Sequence, residues 1–259
     1  MDNIFVIKIG GNIIDNDDKL RLFLKDFAAI KEKKILVHGG GKMATQLAEQ
    51  LHIPQQLVDG RRITDAATLR IITMVYAGFI NKQIVALLQA GSCDAVGLCG
   101  ADGNLIQAHK REHPTIDYGF VGDIDKINIS WLGKLLNENV TLVIAPVTHD
   151  KEGQLLNTNA DTIAQEIAVS LATDYNVNLI YCFEKIGVLQ DAADENTLIP
   201  QITLSSFATL REQKVIHSGM IPKLHNAFTA LESGVKKVMI GKGEELDQLI
   251  SGTSGTTML

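Results

Sequence analysis

The sequence predicts an α/β protein with a mainly parallel sheet covered on both faces. Three observations carry this: short apolar runs alternate with helix-like segments, no solenoid-length repeat or low-complexity linker interrupts the alternation, and 259 residues suffice for one or two lobes around a large core. The apolar runs at 4–9, 35–37, 95–98, 142–145, 179–182 and 237–240 read as buried strands. Segments 19–30, 43–51, 66–90, 131–137, 160–172 and 223–233 carry helical patterns between them. Residues 98–121, rich in glycine, charge and turn formers, suggest an extended hairpin region, and 203–220 follow a break at Pro200.

The balance of 46% apolar and 21% charged residues is that of an ordinary globular chain. The net charge of −6, with no basic stripe, argues against nucleic acid as a partner but leaves ATP open, because local donors and lysines decide phosphate binding. Cys93, Cys99 and Cys182 form no CxxC pair and no zinc-ligand spacing, so reduced thiols are expected. Met1-Asp2-Asn3-Ile4-Phe5 lacks a basic stretch followed by a long apolar one, so neither a signal peptide nor a membrane span is expected, and the cytoplasm is the expected compartment.

Five motifs have chemical character. Lys8-Ile9-Gly10-Gly11 ends the first strand, where glycines let backbone N–H groups approach an anion and a lysine can reach it as a compact charge. Val37-His38-Gly39-Gly40-Gly41-Lys42 joins a strand to a helix and presents free N–H groups at a helix start. No Walker A loop is present, although Gly39 to Ala44 with Asp59 twenty residues on also fits a loose dinucleotide fingerprint. In Gly60-Arg61-Arg62-Ile63-Thr64-Asp65 an arginine could grip a carboxylate with two parallel hydrogen bonds, or the pair could simply be solvated. Leu156-Asn157-Thr158-Asn159-Ala160-Asp161 gathers two amides and an acid at a helix start, as ligand-orienting groups or as a cap and a first-turn acid. In Ser218-Gly219-Met220-Ile221-Pro222-Lys223 a lysine occupies an opening helical turn, electrostatically out of place unless an anion is near. Gly187, after the strand at 179–183, could open room for an adenine ring.

With these motifs in this order, the chain resembles the N-acetylglutamate kinases of the amino acid kinase family. The resemblance extends from Ile4 to Leu259, with Asn81-Lys82, Gly119-Phe120-Val121-Gly122 and Ser254-Gly255-Thr256 in support. It implies a three-layer αβα sandwich around a mostly parallel eight-stranded sheet. Residues 1–175 would bind the acyl amino acid and dimerise, and 176–259 would bind ATP. The implied reaction is ATP-dependent, Mg²⁺-assisted phosphorylation of the γ-carboxylate of N-acetyl-L-glutamate, the second step of arginine synthesis. By the same resemblance, Lys8 and Lys223 stabilise the travelling phosphoryl group and Asp161 orients both. Gly10, Gly11 and Gly41 donate to phosphate, and Gly40, Gly41, Arg62, Asn157 and Asn159 hold the acyl amino acid. Glu184, Lys185, Ile186, Gly187, Val188, Leu189, Val215, Ile216 and His217 flank ATP, and no protein ligands to a metal are expected.

Because the chain starts almost on its first strand, without the N-terminal helix of arginine-inhibited hexameric relatives, a homodimer without arginine feedback is expected. Three alternatives stand beside this: N-succinyl-L-glutamate as acceptor, a non-catalytic ligand sensor on the same fold, and a dinucleotide-dependent oxidoreductase. The last leaves Lys8, Asp161 and Lys223 without roles.

Overall fold

The computed structural model describes residues 1–58, 61–191, 193–212 and 220–259. In chain order its elements are β1 (Asn3–Ile9), α1 (Gly11–Ile14), α2 (Asp17–Ala29), β2 (Lys33–His38), α3 (Gly41–Gln50), β3 (Leu57–Val58) and β4 (Arg61–Arg62). Next come α4 (Ala66–Ile72), a π-helical stretch (Thr73–Ile80) and α5 (Asn81–Ala90), which form one continuous helix, then β5 (Ala95–Leu98), β6 (Ile106–Lys110) and β7 (Gly122–Ile127). They are followed by α6 (Ile129–Asn137), β8 (Thr141–Ile144), β9 (Val147–His149), β10 (Leu155–Asn157), α7 (Ala160–Leu171) and β11 (Asn176–Phe183). The chain closes with β12 (Gln201–Ile202), α8 (Leu204–Glu212), α9 (Ile221–Glu232), β13 (Lys237–Lys242), α10 (Leu246–Ser251) and β14 (Thr256–Met258).

Eight strands form the main sheet in the order β12-β14-β13-β11-β1-β2-β8-β5. Six run parallel, while β14 is antiparallel to β13 and carries β12 parallel to itself at the edge. From β1 the chain moves to β2 on one side and later returns to β11 on the other. The carboxyl ends of these three strands therefore border the topological switch point, where open α/β sheets bind ligands. The sheet runs without a break across residue 175.

Strand parity sorts the core into two layers. Ile4 and Val6 of β1 face a cluster that includes Ile35, Val37, Leu179 and Tyr181 and is covered by α6, α7 and α9. Phe5, Ile7 and Ile9 face the opposite cluster, with Leu36, Ile180 and Cys182 under α2, α3 and the helix Ala66–Ala90. That helix is long and apolar enough to cross a membrane by length and composition, with a mean hydropathy of 1.6, yet Ile71, Ile72, Ile80, Ile84 and Leu88 pack it onto the sheet.

The expected strands and helices all form. The extended region expected at 98–121 holds β6, but its antiparallel partner β7 begins at Gly122, after a long excursion. With β9 and β10 these strands make a second, four-stranded sheet in the order β10-β9-β6-β7. The six strands absent from the sequence reading are two or three residues long, too short for a period of two to declare itself.

Candidate active site

Lys8 lies one residue before the end of β1, in register with Tyr181 of β11 and Val37 of β2. Its parity with Ile4 and Val6 sends the side chain toward α7 and α9. The Lys8 Nζ sits 2.8 Å from Asp161 Oδ1, as a charge pair rather than a well-directed hydrogen bond. Asp161 is in the first turn of α7, where the helix dipole favours a carboxylate, and the Asn159 side chain caps that helix by accepting from the Thr162 N–H at 3.0 Å.

Lys223, in the opening turn of α9, brings its Nζ to 3.7 Å from the centre of the Phe183 ring, and Lys8 Nζ lies 5.4 Å from the same ring. The two ammonium groups, far apart in sequence, thus converge on one aromatic ring beside one carboxylate. Burial pulls Lys223 below the usual lysine range; Asp161 opposes the shift and the nearby Lys8 reinforces it. A crowded cationic pair of this kind is stabilised by an arriving polyanion.

These groups line a cavity of about 380 Å³ together with Gly10, Gly11, Asn12, Glu184, Lys185 and Gly187. Gly10 caps α1 and Gly11 begins it, so the first N–H groups of that turn lack intrahelical acceptors. Gly187 has a packing reason besides its place on the cavity wall: a Cβ there would lie 2.6 Å from Leu198 Cδ1 and 2.7 Å from Thr256 Oγ1. Of the other residues expected around ATP, Val188 and Leu189 are buried and Ile186 half-buried, outside this cavity's wall. Val215, Ile216 and His217 lie outside the described residues, as do Ser218, Gly219, Asp59 and Gly60.

A second cavity, of about 180 Å³, adjoins the first, since neighbouring residues of one helical turn line the two: Ala160 the second and Asp161 the first. Its walls include Gly39, Gly40, Gly41, Arg61, Arg62, Tyr76, Asn157 and Asn159. The Gly39 N–H donates to the Ile9 carbonyl at 3.1 Å, so the glycine turns after β1 and β2 lie side by side. Gly40 has φ +149°, and a Cβ there would come 2.3 Å from Ile80 Cδ1. Any side chain there would be strained and would have to displace Ile80. Arg62, 9% exposed, donates from Nη1 to Gln55 Oε1 and from Nη2 to the Gly41 carbonyl at 2.9 Å and Thr45 Oγ1 at 2.8 Å. Asn157 Nδ2 donates to Thr64 Oγ1 at 3.0 Å.

His38 is fully buried on the other face of β2. Its Nδ1 is 2.8 Å from the Gly39 carbonyl and its Nε2 3.2 Å from Asn81 Nδ2, so the neutral ring carries its proton on Nδ1. Burial holds its pKa down at about 4. Among the described residues, no group of three or more His, Cys, Asp and Glu side chains could hold a metal ion.

Phe183, Tyr76, Gln55 and Thr45 also stand at these cavities or bond to their lining residues, and none belongs to a motif of the sequence. Phe183 and Tyr76 sit in apolar runs that read as core, and nothing local marks Gln55 or Thr45.

Paired glycine turns at a switch point, with two lysines over one carboxylate, define an α/β protein built to receive a phosphorylated ligand next to a small second ligand. The chain belongs to the amino acid kinase family, whose sequence profile matches residues 3–242. It is 52% identical to an acetylglutamate kinase of Cytophaga hutchinsonii, over 100% of this chain and 99% of that one. To an acetylglutamate kinase of Parabacteroides distasonis it is 51% identical, over 96% and 97%. Among solved structures, an N-acetylglutamate synthase from Neisseria gonorrhoeae, complexed with coenzyme A and N-acetyl-glutamate, superposes with a TM-score of 0.84 at 22% identity, over 99% of this chain and 59% of that one. Carbamate kinase from Giardia lamblia bound to AMP-PNP gives 0.72 at 15% identity, over 100% and 98%. At these identities the two structures speak for the fold alone.

Proposed function

We propose that this chain transfers the γ-phosphoryl group of ATP to the γ-carboxylate of N-acetyl-L-glutamate, as in arginine synthesis. The observation that carries the reading is the convergence of Lys8 and Lys223 on Phe183, with Asp161 between cavity walls that open onto the Arg62 pocket. Residues of the acceptor pocket come from 39–160, and the nucleotide side is completed by 183–240, in keeping with an acceptor-binding part at 1–175 and an ATP-binding part at 176–259.

The acceptor carboxylate is already ionised, so no general base is required. A carboxylate oxygen attacks the γ-phosphorus, the bond to the bridging oxygen breaks, and ADP leaves with the electron pair, giving an acyl phosphate. The obstacle is repulsion between two anions. Lys8 and Lys223 offset it, Asp161 holds their geometry, and the N–H groups of Gly10, Gly11 and Gly41 take phosphate oxygens. Arg62, Asn157 and the backbone at Gly40 fix the acceptor. Mg²⁺ would be held by ATP's own phosphates; among the described residues no group of three or more His, Cys, Asp and Glu side chains offers it a protein cage. We place the enzyme in the cytoplasm, as a homodimer.

Purified protein should release ADP from Mg-ATP only when N-acetyl-L-glutamate is present. ADP release without acceptor dependence, or tight ligand binding with no turnover, would favour a sensor instead.

One observation favours a second acceptor. Arg61 also lines the small pocket, half-buried, and makes no ion pair among the described residues; burial and the nearby Arg111 both depress its pKa. A second arginine on the wall of the same pocket suits an acyl chain ending in its own carboxylate, such as N-succinyl-L-glutamate. A kcat/KM at least about tenfold higher for the succinyl acceptor, reversed in Arg61→Leu, would assign Arg61 to that carboxylate. Equal values would remove the reading.

A further inference from the structure

We propose that Tyr76 is a positioning residue of the acceptor pocket: its phenolic oxygen steadies the Arg62 guanidinium, and its O–H donates to the carboxylate that Arg62 receives. The inference rests on the acceptor-pocket reading above.

Tyr76 belongs to the π-helical turn Thr73–Ile80, whose other residues after Thr73 are apolar or glycine. The wide turn sets both Tyr76 and Ile80 against Gly40. A Cβ on Gly40 would lie 3.1 Å from Cδ1 and Cε1 of the Tyr76 ring, and one on Gly41 would lie 3.8 Å from its hydroxyl. The side chain is 7% exposed, and it lines the small cavity. The hydroxyl therefore sits at the glycine turn, where Arg62 Nη2 lies at the same 3.8 Å from that Gly41 position.

A buried phenol needs partners for its oxygen and for its hydrogen. Burial raises the Tyr76 pKa, and Arg62, by charge and hydrogen bonding, pulls the other way, so the group stays protonated. A guanidinium only donates, so its bond uses a lone pair of the phenolic oxygen and leaves the hydrogen to find an acceptor. The Gly41 carbonyl, the backbone acceptor of that glycine, already accepts from Arg62 Nη2 and from Thr45 Oγ1, each at 2.9 Å. Arg62 itself makes three hydrogen bonds to Gln55, Gly41 and Thr45, and the bond to the Tyr76 oxygen takes a fourth of the five N–H donors of a guanidinium, which leaves one. Arg62 and Tyr76 both line the small cavity, and a carboxylate there would take the remaining N–H and the Tyr76 O–H together.

Tyr76→Phe removes the O–H and keeps the ring against Gly40 and Ile80. The expected result is a KM for N-acetyl-L-glutamate raised about tenfold, as for loss of one hydrogen bond to a charged group. The kcat, the KM for ATP and the Tm should stay near wild type, whereas a purely structural role would move Tm or all kinetic constants together. An unchanged acceptor KM overturns the inference. Calorimetric titration of both proteins with N-acetyl-L-glutamate reads the same ratio without turnover. Wild-type protein that binds this acceptor but does not phosphorylate it would overturn the proposed reaction, while the affinity ratio still decides Tyr76; wild-type protein that binds no acceptor overturns both.

Discussion

Lys8 is held by neighbours of opposite character, the Asp161 carboxylate at 2.8 Å and the Phe183 ring at 5.4 Å. The contacts leave its compact ammonium pointing into the cavity, and a guanidinium is larger, planar and bonds along fixed directions. Lys8→Arg is expected to lower kcat on the order of 10²-fold, typical for loss of one preorganised donor, with the Tm little changed. Steady-state kinetics alongside a melting curve check this; near-wild-type turnover would remove Lys8 from the reaction. Residues of this kind were legible in the sequence because their chemistry conflicts with their place, as with a lysine ending an apolar strand or opening a helix. Asn159 shows the opposite case, since its side chain serves the α7 cap that its position alone suggested. Phe183 and Tyr76 conflict with nothing locally, so only the folded geometry separates them from core.

At the scale of elements, β2 carries the glycine turn between two layers: Val37 packs under α7's layer, and His38 is turned toward α5. The His38 ring is locked neutral by the Gly39 carbonyl and by Asn81, whose Nδ2 also donates to the Val143 carbonyl at 3.0 Å. Protonating Nε2 would cancel an acceptor and add a buried charge close to Lys82. With a pKa of about 4 in the fold against an ordinary 6.5, the unfolded chain binds more protons between those values, so stability rises with pH across that window and is lost on acidification. The shift corresponds to on the order of 3 kcal/mol. Urea melts of wild type and His38→Gln at pH 4 to 6.5 should diverge by most of that amount, and parallel curves would refute it. The long strands and helices around this turn were legible because their periods repeat. The π-helical turn was not, because its extra residue per turn leaves the apolar composition of the helix unchanged.

At the scale of the whole molecule, two features of the N-terminal part lack a partner among the described residues. Strand β5 closes the sheet at one edge and, among the described residues, pairs only with β8, and an open edge is a site for further association. Beside it, the helix Ala66–Ala90 buries one side against the sheet and turns Met74 and Phe79, 54% and 56% exposed and about one π-helical turn apart, toward solvent. Large apolar side chains on an outward helix face next to an open edge fit a self-complementary surface, where a twofold axis places the same patch on both partners. This is the face we assign to the proposed homodimer. Sedimentation velocity should give a dimer for the wild type, and Phe79→Lys should shift it toward monomer by setting two like charges against each other across the axis. Wild-type protein that sediments as a monomer at tens of micromolar would remove the dimer, and a Phe79→Lys variant that stays dimeric would move the interface to another face.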